Sequence, residues 1–227
     1  MIVDAPLDAV AVRVLGSLIE KEITTPDYYP LTLNALVAAC NQSSNRDPVL
    51  ELDEDTVRRS LNDLRQRSIA RGVQRMDSRV MRYSHLLTQA LSLEPPELAA
   101  MCVLMLRGPQ TAGEIKTHAR RLFDFAEVAH VEHTLDGLAA RPSPLVAQLP
   151  RGPGQKEARY AHLLSGEVAT ESAGAAPRRS SAASSASGAA ASPVEARVAA
   201  LEHDVGALRA ELAELRARFE AFRREFQ

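Results

Sequence analysis

The chain has 227 residues, long enough for one or two domains with apolar cores, and its 45% hydrophobic and 25% charged content is that of an ordinary globular protein. Its formal net charge of −2 excludes a strong overall attraction to nucleic acid or to an anionic membrane, so any binding surface must come from local patterning. No apolar run approaches the roughly 18 residues of a membrane span, and the N-terminus lacks the pattern of a targeting segment, so we expect a cytoplasmic protein with no membrane partner.

Residues 1–90 predict three helices and two strands, in that order. Apolar residues recur at helical spacing from Leu7 to Ile19, which predicts the first helix. Thr32 and Asp53 are placed to cap the second and third helices, because their side-chain oxygens accept from free N–H groups of the first turn. The helices are expected at residues 7–21, 33–40 and 54–67, and the strands at residues 70–75 and 80–87.

Residues 91–166 predict the same order of elements. A proline near the start and Gly108-Pro109 past the end delimit a helix, and Thr111 is placed to cap the next one. A third helix leads into two strands that flank a turn rich in glycine and proline. The helices are expected at residues 96–107, 112–122 and 126–141, and the strands at residues 145–149 and 158–164.

Two sequence blocks recur in the two units, in the same order. Residues 82–87, Arg-Tyr-Ser-His-Leu-Leu, return at residues 159–164 as Arg-Tyr-Ala-His-Leu-Leu, and residues 57–64 are echoed at residues 131–138. Blocks that recur in order indicate one supersecondary unit used twice. Three helices followed by a hairpin describe a winged helix, so we predict a mainly α protein with small β-hairpins (α+β). The two tandem winged-helix domains are expected at residues 1–90 and 91–166.

Several residues of the two units are expected to be structural. Arg82 and Arg159 of the repeated block, with the tyrosines that follow them, are expected to lock each hairpin onto its helices. The histidines of the same block are expected to make structural hydrogen bonds. Cys40 and Cys102 lie in apolar helical contexts, which predicts two buried thiols in a reducing compartment.

The remaining residues predict a linker and a coiled coil. Residues 167–193 are almost entirely small or polar and cannot bury enough apolar surface to fold, so we expect them to be disordered. Residues 194–227 carry apolar side chains spaced alternately four and three apart, which predicts a coiled-coil helix and a homo-oligomer. Flanking charges favour a parallel dimer; the alternative is an amphipathic helix packed on its own domain. The dimerisation residues are expected to be Val198, Leu201, Val205, Leu208, Leu212, Leu215, Phe219 and Phe222.

The third helix of the first unit carries a candidate DNA-binding face. Its inward stripe is formed by Val57, Leu61, Leu64 and Ser68. The opposite face is therefore centred on Asp55, Arg59, Asn62 and Gln66. Arginine, asparagine and glutamine make bidentate contacts with guanine or adenine edges, and nearby arginines suit phosphate contact. The plainer alternative is a solvated polar face, since acids crowd the helix start and the span before it exceeds a usual helix-turn-helix. The candidate residues for double-stranded DNA are Arg58, Arg59, Asn62, Arg65, Gln66, Arg71, Arg75 and Arg79.

The corresponding face of the second unit lacks this chemistry. Its outward positions are Ala129, His133, Asp136 and Ala140. Two alanines and an aspartate cannot read bases, so we expect this unit to pack or to bind a protein partner. His130 and His133 are three residues apart, but no further ligands complete a metal site. The sequence also lacks a phosphate loop, a nucleophile elbow and paired acids, so we expect no metal, no cofactor and no enzymatic activity.

Four stretches of the chain carry a family resemblance. They read Tyr-Pro-Leu-Thr-Leu-Asn-Ala-Leu at residues 29–36, Ala-Cys-Asn-Gln-Ser-Ser-Asn-Arg-Asp-Pro-Val at residues 39–49, Leu-Arg-Gly-Pro-Gln-Thr-Ala-Gly-Glu at residues 106–114 and Arg-Tyr-Ala-His-Leu-Leu-Ser-Gly-Glu at residues 159–167. On these motifs the chain resembles the bacterial YceH-like family of uncharacterised proteins. The resemblance covers about residues 8–167. It implies a tandem winged-helix fold, often with a coiled-coil tail, and implies no activity, ligand or catalytic residue.

The loop at residues 41–48 is distinctive of that family and is a second candidate site. A plain winged helix would not need it, and its polar residues suit a rigid loop that binds phosphate or a partner. Ser43 stands where the resemblance places a lysine, which removes one positive charge. The candidate residues of the loop are Asn41, Gln42, Asn45 and Arg46.

These observations together predict a non-enzymatic DNA-binding protein, with transcriptional regulation as its role. The tail would join two binding units, which raises their combined affinity. The alternative is a protein–protein adaptor that uses winged helices as docking surfaces, supported by the neutral second unit and the small net charge. An enzyme is the least supported class.

Overall fold

The computed structural model describes residues 5–74, 80–151 and 157–166. The predicted linker at residues 167–193 and the predicted coiled coil, with its dimerisation positions from Val198 to Phe222, lie outside the described residues, as do Arg75 and Arg79 of the DNA-binding prediction. The described chain is mainly helical with small antiparallel strand pairs, which confirms the predicted α+β class. No helix formed by the described residues is both long and apolar enough to cross a bilayer.

The first repeat contains three helices and a three-stranded sheet. Its helices are α1 (Ala9–Thr24), α2 (Leu33–Cys40) and α3 (Glu54–Gln66), and its strands are β1 (Leu31–Thr32), β2 (Ala70–Gln74) and β3 (Met81–His85). A 3-10 turn, Pro26–Tyr28, follows α1, and a short helix α4 (Leu87–Leu91) leads to the second repeat. The three helices and the hairpin are as expected from the sequence, whereas β1, the 3-10 turn and α4 were not predicted.

The second repeat follows the same order of elements. It contains α5 (Pro95–Arg107), α6 (Ala112–Ala119), α7 (Val128–Ala139), β4 (Val146–Gln148) and β5 (Tyr160–His162). Helix α6 ends three residues earlier than expected, and the turn that follows it is closed by the N–H groups of Leu122 and Phe123, which both donate to the carbonyl of Ala119. The elements of each repeat therefore match the three helices and hairpin predicted from the sequence.

Side-chain caps define where several helices begin. Thr32 and Thr111 occupy equivalent positions before α2 and α6, and each hydroxyl accepts the backbone N–H three residues on. Glu114 completes a reciprocal capping box by accepting the N–H of Thr111 at 2.8 Å. Asp53 caps α3 in the same way, so all three predicted caps are confirmed. Asp8, which was not predicted as a cap, accepts from Ala11 at the start of α1.

Each hairpin is also tied to the segment that precedes the second helix of its repeat. In the first repeat, the three strands are ordered β1-β3-β2, with Leu31 opposite Tyr83. In the second repeat, Gln110 and Tyr160 exchange two backbone hydrogen bonds of 3.0 and 2.7 Å. The same antiparallel contact thus anchors both hairpins, as an extra strand in one repeat and as a single bridge in the other.

The arginine of the repeated block completes this anchor. Arg82 Nη1 donates to the carbonyl oxygen of Pro30 at 3.0 Å, and Arg159 Nη1 donates to that of Pro109 at 2.8 Å. We call this interaction the arginine clasp. The arginines thus tie each hairpin to the segment before its second helix, and Arg159 also pairs with Glu114 of α6 at 3.2 Å. The predicted role of the arginines is confirmed in this form; that of the tyrosines stays a prediction.

The core is continuous between the two repeats because α1 packs against α5. Residues 11–20 of α1 and 98–106 of α5 are buried on every side, as expected of helices surrounded by others. The helices approach closely at Gly16, where an added Cβ would lie 2.9 Å from Leu106 Cδ2 and 3.3 Å from Met105 Cβ. Residues of both repeats therefore form one compact unit; the predicted division into two domains stays a prediction.

Both cysteines lie inside this core. Cys40 and Cys102 are buried and unpaired by disulfide, which confirms the predicted buried thiols. Burial raises the pKa of both, that of Cys40 to about 11, so each remains a protonated and unreactive thiol at neutral pH.

Candidate nucleic-acid interface

Helix α3 has one buried and one exposed face. Its buried residues are Val57, Ser60, Leu61 and Leu64. This stripe packs on the core and fixes the rotation of the helix. The five candidate DNA-binding residues of α3 are consequently exposed: Arg58, Arg59, Asn62, Arg65 and Gln66.

The inward stripe differs from the expected one at a single position. Ser68 was predicted to continue the stripe, but α3 ends at Gln66 and Ser68 is exposed with φ of 59°. A residue in this left-handed conformation lies beyond the helix, so its side chain no longer follows the helical period. Ser60, buried one turn after Val57, belongs to the stripe instead.

The first turn of α3 is acidic. The N–H of Thr56 donates to Asp53 at 2.6 Å, and this hydrogen bond lowers the pKa of the Asp53 carboxyl and keeps it ionised. Arg58 forms exposed ion pairs with Glu54 and Asp55. This end of the helix therefore repels phosphate, and Arg58 is the least available of the candidate arginines.

Among the described residues, the arginines on the rest of the exposed face hydrogen-bond to neutral groups, although the charge of Arg59 also acts on the Asp53 carboxylate. Arg59 Nη2 donates to the hydroxyl of Thr56 at 3.1 Å, and Arg65 Nη1 donates to the side-chain oxygen of Asn62 at 3.3 Å. Both acceptors are neutral, and exposed contacts of this kind are worth only a few tenths of a kcal/mol, about 0.2–0.5. A ligand can therefore replace them.

The hairpin extends this face. Arg71 on β2 is exposed, and its Nε donates to Ser84 Oγ on β3 at 3.1 Å, another neutral acceptor. The Arg65 side chain lies beside it over Gly72, with its Nε 3.7 Å from the position that a Cβ at Gly72 would take, which is ordinary van der Waals contact. Arg65 thus reaches from α3 over the sheet. We call the set Arg59, Asn62, Arg65, Gln66 and Arg71 the α3 surface.

The equivalent face of α7 has a different character. Its exposed positions are Ala129, His133, Asp136 and Ala140, as expected from the sequence. Helix α7 buries Val131, Thr134, Leu135 and Leu138 in the manner of α3. The two helices therefore share an inward packing pattern, and only α3 presents arginine and amide side chains outward.

The polar loop between α2 and α3 requires one correction. Arg46, predicted as a candidate ligand-binding residue, has a fully buried side chain that pairs with Glu20. Its guanidinium donates to both carboxylate oxygens of Glu20, at 3.2 and 2.7 Å, and to the carbonyl of Ala39 at 3.1 and 2.8 Å. Every strong donor is used inside the fold, as a buried charge requires, so Arg46 cannot contact a ligand.

The other loop candidates are also held by hydrogen bonds within the fold. Asn41 exchanges two 2.8 Å hydrogen bonds with the backbone of Leu52 and closes the loop. Gln42 Oε1 accepts from Lys21 Nζ at 2.9 Å, and Asn45 Oδ1 accepts from Arg107 at 2.7 Å. The loop thus connects α1 to α5. Sequence reasoning missed these two cations, because Lys21 and Arg107 lie 21 and 62 residues from their partners along the chain.

The two histidines of the repeated block differ in their surroundings. His85 Nδ1 accepts the N–H of Leu87 at 3.3 Å, so Nε2 carries the proton and donates to Glu22 at 2.5 Å, which confirms a structural role. The structural hydrogen bond predicted for His162 is not found, because its Nδ1 is buried with no hydrogen-bond partner among the described residues. Burial lowers the pKa of His162 to about 4, so this ring is neutral at pH 7.

Metal ligands are not gathered anywhere in the described part of the chain. Residues 5–74, 80–151 and 157–166 contain no group of three or more His, Cys, Asp or Glu side chains that could hold an ion. His130 instead packs against the rings of Phe123 and Phe125, with centroid distances of 5.8 and 5.2 Å. Packing in an aromatic cluster is therefore its role in this fold.

Comparisons with known proteins place the chain among uncharacterised proteins. A family model described as "Protein of unknown function, DUF480" matches residues 7–155. The UPF0502 protein GSU0233 of Geobacter sulfurreducens is 54% identical over 174 residues, which cover 75% of this chain and 78% of that protein. UPF0502 proteins of Opitutus terrae and Photobacterium profundum are 49% and 48% identical, over 75% and 74% of this chain and 75% and 78% of theirs. The expected similarity to an uncharacterised family is confirmed, and the YceH-like assignment stays a prediction.

Proposed function

This chain belongs to the DUF480 family of proteins of unknown function, and we propose that it is a non-enzymatic, cytoplasmic DNA-binding protein that reads duplex DNA through α3 and the hairpin of the first repeat. Each repeat is, in this proposal, a winged helix, and the role is transcriptional regulation. Residues 194–227 would join two copies of the chain, since linking two binding units raises their combined affinity without new contacts.

The observation that carries the proposal is the set of partners around the α3 surface. Arg59, Arg65 and Arg71 hydrogen-bond to hydroxyl and amide oxygens and form no ion pair with a carboxylate among the described residues. Arg58, at the start of the same helix, is by contrast paired with two acids, so its charge is compensated while theirs are held by neutral groups.

The two kinds of side chain on this surface have different roles. Arg65 and Arg71 lie where α3 meets the sheet, and we assign them to phosphate oxygens, which position the protein on the duplex. Asn62 and Gln66 project from α3, and their amides match the N6 and N7 edge of adenine; Arg59 matches the O6 and N7 edge of guanine. Acids at the helix start direct the duplex towards the C-terminal half of α3.

Salt dependence is the first test. We expect the full-length chain to bind a labelled duplex in fluorescence anisotropy, with affinity falling about a hundredfold between 50 and 200 mM salt if about four phosphates are contacted. Binding no tighter than that of a neutral control protein at either salt concentration would reject the proposal.

Substitutions separate the two roles. Arg65→Gln and Arg71→Gln should each weaken binding to all duplexes alike and reduce the salt dependence, because each removes one phosphate contact. Asn62→Ala should instead change the preferred sequence, at about 1–3 kcal/mol for the affected base pair. Arg151→Gln in the second repeat, an exposed residue with the same loss of charge, is the matched control and should bind like the unaltered chain.

A second candidate function, that of a protein–protein adaptor, is favoured by an apolar groove. The groove has a volume of about 690 Å³ and lies beside α4 and the loop between α7 and β4. Its lining includes Leu91, Pro142, Pro144, Leu145 and Leu163. Exposed concave apolar surface of this kind is typical of sites that receive a partner.

The adaptor is tested with Ser143→Arg, an exposed change on the lining of the groove. A stoichiometric protein partner that is crosslinked to the intact chain, resists nuclease and is lost in Ser143→Arg would favour the adaptor. Recovery of duplex DNA from the same sample, with Ser143→Arg unaffected, would favour the DNA-binding function.

A further inference from the structure

A cleft of mixed polar and apolar lining lies on the seam between the two repeats and shares no lining residue with the α3 surface. It has a volume of about 290 Å³, near the lower limit of clefts that hold small ligands. Both repeats line it: the end of α1 and the loop at residues 41–48 from the first, and the ends of α5 and α6 from the second. We call it the seam cleft.

Four cationic side chains line the seam cleft, and two of them are held by neutral amides. Lys21 Nζ donates to Gln42 Oε1 at 2.9 Å and is 3.6 Å from the carboxylate of Glu20. Arg107 Nη2 donates to Asn45 Oδ1 at 2.7 Å. These amides orient the cations without cancelling their charge, which gives the loop at residues 41–48 a function in this cleft.

The other two cations are uncompensated. Arg120 and Arg121 are exposed on the lining of the cleft, and the side chain of neither forms a hydrogen bond or an ion pair with any residue that the structure describes. Glu20 is the acidic residue of the lining, and Arg46 neutralises it from behind with two hydrogen bonds to its carboxylate. Because Arg46 neutralises the one acid among the described residues of the lining, the net charge of the cleft stays positive.

Helix C-termini do not account for this accumulation of charge. Helices α1, α5 and α6 all end near the cleft, and each C-terminus carries about half a negative charge. Basic side chains in a last turn ordinarily balance that charge. Four cations outweigh three such partial charges, so the cleft keeps a positive surplus that an anion can neutralise.

We propose that the seam cleft binds a small phosphorylated molecule, with its phosphate against Lys21, Arg107, Arg120 and Arg121. Guanidinium groups match phosphate oxygens in bidentate fashion, and the lysine adds a point charge. Val103, Leu106 and Leu122 give the same cleft an apolar wall, which suits the organic part of a phosphomonoester better than free phosphate. Thr24 and Thr25 donate their hydroxyl protons to backbone carbonyls and keep lone pairs for a hydroxyl of the ligand.

Calorimetric titration of the full-length chain at constant ionic strength tests the proposal with two probes, orthophosphate and glycerol 3-phosphate. We expect one saturable site that binds glycerol 3-phosphate more tightly than orthophosphate. Arg120→Gln/Arg121→Gln should weaken both probes about tenfold or more, since two charged donors are lost at an exposed position where folding is unaffected.

The matched control is Arg58→Gln/Arg59→Gln, which removes two adjacent exposed arginines from α3 and should leave phosphate binding unchanged. Binding of duplex DNA should respond in the opposite way: the double variant in α3 should weaken it, and the double variant in the cleft should leave it unchanged. One of the two proposals can therefore be rejected while the other stands. The cleft is overturned as a phosphate site if the unaltered chain shows no saturable binding, or if the two double variants bind phosphate with equal affinity. Loss of duplex binding in the double variant of the cleft would assign the cleft to nucleic acid instead, and equal affinity for the two probes would overturn the role of the apolar wall.

Discussion

Buried polar side chains in this protein are of two kinds: those with all their hydrogen bonds formed and those that lack one. Arg46 is the first kind, with its guanidinium divided between Glu20 and the carbonyls of Ala39 and Asn45. His162 is the second kind, because its Nδ1 is buried without a partner in the part of the chain that the structure describes. A ring in that position is tolerated while it is neutral, so its protonation should be coupled to folding.

The pH dependence of stability follows from the lowered pKa of His162. Burial lowers that pKa to about 4 in the folded chain, against about 6.5 when unfolded, so the unfolded chain takes up the proton first. Stability from the neutral ring is fully present above about pH 6.5 and is lost as pH falls towards 4. We expect a loss of about 2 kcal/mol between pH 7.5 and pH 5, measured by urea unfolding.

Other groups titrate in the same range, so the comparison that decides is between variants. His162→Leu should remove most of this loss, because the leucine cannot take up a proton. His133→Leu, a change at an exposed histidine of α7, should keep the pH dependence of the unaltered chain. Identical pH dependence in the two variants would contradict the role of His162.

At the scale of elements, the repeated hexapeptide provides the arginine clasp in both repeats. It ties β3 in the first repeat, and the residue just before β5 in the second, to the residue two positions before the helix cap, Thr32 in one repeat and Thr111 in the other. The hairpin, the cap and the second helix are thereby fixed together. Recurrence of the block therefore reflects a repeated structural requirement, which is why it falls outside the α3 surface.

Loss of the clasp should destabilise the fold. Arg82→Met keeps most of the aliphatic length of the side chain but removes the donor to the carbonyl of Pro30. A hydrogen bond from a charged group contributes about 1.5–3 kcal/mol when buried, and this one is part-buried, so we expect a loss of about 1 kcal/mol in the free energy of unfolding. Arg59→Met on the exposed face of α3 is the control, expected within about 0.5 kcal/mol of the unaltered chain.

Features set by neighbouring residues were predictable from the sequence, whereas contacts between residues far apart in the chain were not. The caps at Thr32 and Asp53 and the exposed face of α3 depend on residues within one or two turns, so periodicity and capping rules were sufficient. Arg46 was placed at the surface because its loop is polar, yet its partner Glu20 lies 26 residues away. Strand β1 escaped prediction because two residues give no periodicity; only pairing with β3 makes it a strand.

The candidate sites divide along the same line. The outward side chains of α3 could be read from one helical stripe. The seam cleft could not, because it forms only when α1, α5 and α6 bring Lys21, Arg107 and Arg120 to one place. Arginines are concentrated in the α3 and hairpin segment of the sequence, whereas the cations of the cleft are scattered over about a hundred residues.

At the scale of the whole described unit, the contact between α1 and α5 decides how the repeats work together. Both helices are buried on all sides, and the loop at residues 41–48 adds backbone and side-chain bonds across the seam, among them Asp47 N–H to the carbonyl of Leu106 at 2.9 Å. The first repeat carries the α3 surface, and the second contributes packing and half of the seam cleft. A ligand in the cleft would therefore contact both repeats at once.

Close packing at the seam predicts that the repeats unfold together and that Gly16 cannot carry a larger side chain. Gly16→Val should lower the free energy of unfolding by about 2 kcal/mol, because its Cβ would meet Leu106 Cδ2 at 2.9 Å and the less mobile Met105 Cβ at 3.3 Å. Gly137→Val is the matched control: it also lies within a helix, but an added Cβ there meets nothing within 4 Å, so stability should change little. Thermal unfolding of both variants should show one transition for the helical unit, lowered only in Gly16→Val. Equal stability of the two variants, or a separate early transition of one repeat in the unaltered chain, would contradict a single core shared across α1 and α5.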